Sequence, residues 1–198
     1  AGDSFPRAGA SVRRLFLSDS PSGSAPHSVF DGTLGSTRSH TRAALGVRPD
    51  MRGLRSRDMT QVTAGITMVL GKDFGRDARY QEAGGLTFSS APVTERTQIS
   101  GALNMRLFVS TSGQEGIWAV TVNDVAPDGT STVLTNGALT VSNRAIDPTL
   151  SEYAEDGSLL VAHHYLSRKR KLPVPADTPL PIDVDLVPTD AVLDIGHR

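Results

Sequence analysis

The chain has 198 residues, with 20 Lys+Arg against 21 Asp+Glu, a net charge of −1, and no cysteine. That length allows one domain, or one domain with a long appendage. The charge balance excludes an overall electrostatic drive toward nucleic acid or an anionic membrane, and the missing thiols exclude disulfides, thiolate metal sites and a cysteine nucleophile. A hydrophobic fraction of 38% beside 21% charged residues is too apolar for a wholly disordered chain. No stretch approaches the roughly 20 consecutive apolar residues of a membrane span. The chain opens at Ala1 with neither an initiator Met nor a signal peptide, which reads as a piece of a larger protein.

The charge is uneven. Residues 1–99 carry 13 basic and 9 acidic side chains (+4), and residues 100–198 carry 7 and 12 (−5). Residues 1–83 read as an irregular leader, dominated by Ser, Gly, Pro and Arg between 18 and 40. Within the leader, residues 11–20 have the pattern of one short strand with Leu15 and Leu17 on a common face. Residues 59–71 place Met59, Val62, Ile66 and Val69 or Leu70 at helical spacing, but β-branched residues in the segment lower its helix propensity. They read as a short helix or an extended segment. So long an irregular run is expected to lie on another surface, that of a partner domain.

Residues 84–198 have an all-β pattern at the spacing of a sandwich or a jelly roll: short alternating runs divided by turn residues. Met105, Leu107 and Val109 face one way, with Arg106, Phe108 and Ser110 opposite. Trp118, Val120 and Val122 share a face that Asp124 continues. Pro127-Asp128-Gly129 is a tight reversal, and Asn136-Gly137 a second turn or a bulge. Residues 181–188 alternate Ile182, Val184 and Leu186 with Asp183, Asp185 and Val187, so the two aspartates read as a solvated outer face.

Catalytic signatures are missing. There is no Gly-x-Ser-x-Gly nucleophile elbow, no phosphate-cradling loop and no dinucleotide fingerprint. His163-His164 is the only adjacent histidine pair. On a strand its rings diverge, which suits one half-buried and one solvated ring better than a metal site. Arg168-Lys169-Arg170-Lys171 reads as a solvated loop or a surface for an acidic partner. Neither a cofactor nor a metal ion is implied, and no catalytic residue can be assigned.

Five stretches, in order, carry a resemblance: 86–101 (LTFSSAPVTERTQISG), 105–113 (MRLFVSTSG), 117–125 with its PDG turn, the segment through Ser142-Asn143-Arg144, and 184–198 ending in Gly-His-Arg. Together they resemble the C-terminal domain of X-Pro dipeptidyl-peptidases and cocaine-esterase-like serine hydrolases. The resemblance implies a galactose-binding-domain-like jelly roll at 84–198, cut short at its C-terminal end, behind the leader. It also implies that the chain carries no triad and packs on an α/β-hydrolase catalytic domain of the same polypeptide. As a non-catalytic accessory domain it would shape substrate access there, with Met68, Val69 and Leu70 as candidate acyl-pocket lining. The alternative is a free-standing carbohydrate-binding jelly-roll module. Trp118, placed on a core strand, speaks against a sugar platform.

Overall fold

A computed structural model describes residues 4–40, 43–48 and 77–198. The elements in chain order are β1 (Phe16–Ser18), β2 (Phe30–Gly35), α1 (Arg79–Glu82), β3 (Leu86–Ser89), β4 (Thr97–Val109), β5 (Ile117–Val125), β6 (Ser131–Thr140), β7 (Glu152–Tyr153), β8 (Leu159–Val161) and β9 (Leu180–Leu193). Among the described residues, regular structure is almost all strand, as the alternating pattern predicts. One sheet has three strands in the order β1-β2-β3, and β4-β9, β5-β6 and β7-β8 pair two by two.

The chain divides into two compact units. One contains Ile99–Val122 and Thr135–Ala191 together with the N-terminal residues to Val12. Its core is the cluster Val109, Leu139, Val141, Ile182 and Val184, with Leu107, Trp118 and Val120 packed against it. Apart from Leu139 on β6 and Val141 just after it, these are the inward positions of the period-2 patterns in β4, β5 and β9, while Phe108 and Ile117 on the opposite faces stay exposed. Trp118 packs against this core.

Of the turn or bulge expected at Asn136-Gly137, the turn does not form. Strand β6 runs straight through it, and the glycine has another reason to be there. A Cβ on Gly137 would overlap the backbone carbonyl of Asp185. The missing side chain allows a close backbone approach, which local turn rules do not anticipate.

The second unit contains Arg13–Gln98, Asn123–Leu134 and Val192–Arg198. Here β1 runs antiparallel to β2, with Leu17 opposite Leu34, and β2 runs parallel to β3, with Phe30 opposite Leu86. The strand expected within residues 11–20 is β1. Residues 30–35, expected to be irregular, are a strand. Their own alternation is weak, and pairing on both sides makes the strand. Thr87 Oγ1 donates to Phe30 O at 2.9 Å, and the Phe30 and Phe88 rings meet at 5.9 Å. Gly32 leaves room for the Phe88 ring, which a Cβ would strike. The 59–71 segment lies outside the described residues.

Two glycines in strands make a paired test. Gly137→Ala should destabilise by about 1–3 kcal/mol or more, because backbone must move to admit the methyl. At Gly35 nothing lies within 4 Å of the would-be Cβ, so Gly35→Ala should leave stability within about 0.5 kcal/mol. Urea denaturation of both variants checks this, with a low midpoint expected for Gly137→Ala alone.

Candidate functional site

In the second unit the structure brings together three of the five stretches singled out in the sequence. The predicted Pro127-Asp128-Gly129 reversal closes the β5–β6 hairpin. Ala126 N donates to Thr130 O at 2.9 Å, Asp128 Oδ1 accepts from Thr130 N at 2.9 Å, and Gly129 has φ +84°. The terminal Gly196-His197-Arg198 then stitches two segments. Val93 N donates to His197 O at 2.7 Å and Gly196 N to Val93 O at 2.9 Å. On the other side Val125 N donates to Arg198 O at 2.9 Å, and Arg198 N to Val125 O at 3.0 Å. The His197 ring is held by Asp124, with Nδ1 2.8 Å from Oδ1. The histidine of the Gly-His-Arg motif thus works as a structural pin.

Beside the hairpin lies a polar network that sequence patterns did not reveal. Glu82, on α1, accepts from Ser131 Oγ at 2.5 Å and from Asn123 Nδ2 at 2.9 Å through one carboxylate oxygen. Its other oxygen is 2.9 Å from His27 Nε2. Serine, carboxylate and histidine are therefore adjacent, but in the wrong order for a nucleophile. In an acyl-transfer triad the imidazole stands between hydroxyl and carboxylate, so that it can take the serine proton. Here the carboxylate is in the middle, and Ser131 is completely buried. The arrangement gives the Ser131 hydroxyl and the Glu82 carboxylate their hydrogen-bond partners and does not activate a hydroxyl. These residues lie far apart in the sequence, in no common motif.

The second unit also holds Asp77, whose carboxylate accepts from Arg79 Nε at 2.9 and 3.0 Å and from the Arg79 backbone. The Arg79 side-chain hydrogen bonds hold the Asp77 carboxyl below the usual aspartate range.

In the first unit, the solvated face expected for Asp183 and Asp185 is overturned. Asp183 is 9% exposed. Arg106 Nε and Nη2 grip it at 2.8 and 2.9 Å, a bidentate pair. Asp185 Oδ1 accepts from Ala162 N at 2.9 Å. The segment after β8 covers this face of β9, a tertiary event invisible to alternation. It also explains the histidine pair: His163 is exposed, and half-buried His164 donates from Nε2 to Asp183 O at 2.8 Å. The two rings diverge as expected. Among the described residues no group of three or more His, Cys, Asp or Glu could hold a metal ion. No helix among them is long and apolar enough to cross a membrane. The Arg168–Lys171 run is exposed and forms part of a 3-10 turn. Met68, Val69 and Leu70 lie outside the described residues.

Two measurements test this site. His197→Ala should cost about 1 kcal/mol and speed amide hydrogen exchange at Val93 and Val125, whose N–H groups the C-terminal residues engage. Asp77 has a lowered folded-state pKa, so its stabilisation is full above the unfolded-state value and is lost as pH falls through the folded one. Asp77→Asn should therefore lower stability near neutrality and remove part of the acid dependence, read as thermal midpoints between neutral and strongly acidic pH.

The sequence model of the family described as X-Pro dipeptidyl-peptidase C-terminal non-catalytic domain matches residues 1–198. Two proteins named as candidate serine esterases, from Mycobacterium bovis and Mycobacterium tuberculosis, are each 29% identical over 146 residues, which is 74% of this chain. The chain spans 22% of the length of these curated relatives. The crystal structure of an aminopeptidase from the marine sediment archaeon Thaumarchaeota archaeon shares the fold. It aligns with 99% of this chain, over 29% of its own length, with a TM-score of 0.61 at 19% identity. The match over residues 1–198 makes this chain a member of the X-Pro dipeptidyl-peptidase C-terminal non-catalytic domain family.

Proposed function

We propose that this chain is the accessory domain of a serine hydrolase of the dipeptidyl-peptidase or acyl-esterase type. It would pack on an α/β-hydrolase catalytic domain of the same polypeptide and shape substrate access there. The observation that carries the reading is the family match along the whole chain, in relatives several times longer. The chemistry of the described residues agrees with it. The Ser131 hydroxyl is completely buried and bonded to a carboxylate, with no imidazole beside it, so no substrate reaches it.

In this reading the acyl-transfer chemistry belongs to the neighbouring domain. There a serine, activated by histidine, would attack an ester or an amide, with an oxyanion hole holding the charge that develops. The accessory domain would exclude water and limit which substrates reach that serine. Residues 1–83 would form the leader lying against the catalytic domain, with Met68, Val69 and Leu70 reaching toward the acyl pocket. Residues 84–198 would supply the jelly-roll body.

The test compares the isolated chain with the parent polypeptide on p-nitrophenyl esters and X-Pro chromogenic amides. The chain alone should show no turnover above buffer, whereas the parent should hydrolyse one substrate class. Robust turnover by the pure chain would overturn the proposal. Within the parent, Ser131→Ala should lower stability by about 1–2 kcal/mol and leave kcat within twofold. Met68→Ala should change KM among acyl chain lengths by severalfold.

A further inference from the structure

The tetrabasic run is the one feature of the sequence that neither the core nor the proposed function uses. Residues 162–179 lead from β8 to β9, and three of their backbone N–H groups are tied to carbonyls outside the segment. Tyr165 N donates to Ala145 O at 3.2 Å, Leu172 N to Ser142 O at 2.9 Å, and Asp177 N to Thr111 O at 2.8 Å. Between the first two ties, residues 166–171 rise as a short arch. The arch braces itself through Arg170 N to Ser167 O at 3.0 Å. The Arg170 guanidinium lies 4.8 Å above the centroid of the Tyr165 ring, a cation–π contact across its base.

The side chains on this arch face outward. Leu166 is 73% exposed and has φ +45°, a left-handed conformation that non-glycine residues rarely adopt. Arg168, Lys169 and Arg170 are exposed on the 3-10 turn that follows. Lys171 lies 3.8 Å from Glu115, whereas Arg168 and Lys169 have no carboxylate partner among the described residues. The concentration of charge is sharp: four of the seven basic residues in 100–198 fall in this run. Two of the other three are occupied elsewhere, Arg106 by Asp183 and Arg144 by the carbonyls of Val141 and Pro173.

A strongly exposed leucine beside a cluster of cations is matched by an interface that is apolar a few ångströms in and anionic at its surface. A bilayer offers both at once and engages a protruding tip and its charges without needing the broad matched surface of a protein partner. The near-zero net charge does not cancel the attraction. Screening limits each charge to about 8 Å at physiological salt, so only the local cluster counts. The cation–π brace and the two flanking ties mean that little ordering would accompany docking.

We propose that the 166–171 arch docks on an anionic phospholipid surface, with Leu166 entering the headgroup–acyl boundary and Arg168, Lys169 and Arg170 against lipid phosphates. Sedimentation with phosphatidylglycerol–phosphatidylcholine vesicles tests it. Binding should appear on these and not on pure phosphatidylcholine, and should fall at least tenfold in 0.5 M salt. The double variant Arg168→Gln, Lys169→Gln should weaken it more than tenfold. Leu166→Gly is the discriminating variant. Glycine suits the positive φ, so the thermal midpoint should hold or rise while vesicle binding falls severalfold. No binding to anionic vesicles at low salt would overturn the proposal, as would binding that survives all three substitutions. Retention on immobilised polyglutamate with no vesicle binding would also overturn it, and would assign the arch to an acidic protein partner.

Discussion

The first unit depends on the burial of both faces of β9. Ile182 and Val184 are almost completely enclosed in the core, and the residue between them is an aspartate. A carboxylate at such a position is tolerable only if its charge and lone pairs are met, since an unpaired one would cost several kcal/mol. Arg106 on β4 meets the side chain and His164 the backbone carbonyl, while Asp185 is met by the amide of Ala162. The aliphatic core thus sets where β9 lies, and its aspartates set which neighbours can lie over it. A hydrophobic substitution at Asp183 would leave Arg106 without its partner, so the pair acts more as a specification of register than as a source of net stability.

Much of the strand pattern was legible in the sequence, because alternation is a local signal whenever one face is buried. Leu107, Trp118, Val120, Ile182 and Val184 all point where period-2 spacing puts them. The Pro127-Asp128-Gly129 turn was legible for the same reason: each residue's own dihedral preferences suffice to form it. Where the reading failed, the decisive partner was distant in sequence. Asp183 looked solvated because the segment that covers it begins more than a dozen residues earlier. Gly137 looked like a turn or a bulge because Asp185 was not in view. Strand β2 looked irregular because its pairing, not its composition, makes it a strand.

The second unit was illegible in a different way. The Glu82, Ser131, Asn123 and His27 network joins four polar residues that no spacing rule connects. Each taken alone is an ordinary surface residue. The network forms because α1 brings Glu82 against the hairpin, and a buried carboxylate then collects whatever donors are in reach. The Gly-His-Arg end was legible as a motif but not as a function. Its histidine is a catalytic residue type, yet its ring is spent on Asp124 and its backbone on Val93.

The order of groups in that network bears on the division of labour in the family. A serine becomes a nucleophile only when a base accepts its proton as the new bond forms. Ser131 donates to a carboxylate that is itself shared with Asn123 and His27, so its proton already has a low-energy resting place, and no imidazole stands beside the hydroxyl. Moving His27 between serine and carboxylate would require breaking the hydrogen bonds that satisfy Glu82. Opening the site to substrate would expose a residue that is now fully buried. Both changes dismantle packing around the hairpin. The same hydrogen bonds that let this domain fold therefore keep its serine inert, and that inertness fits a non-catalytic member of a hydrolase family.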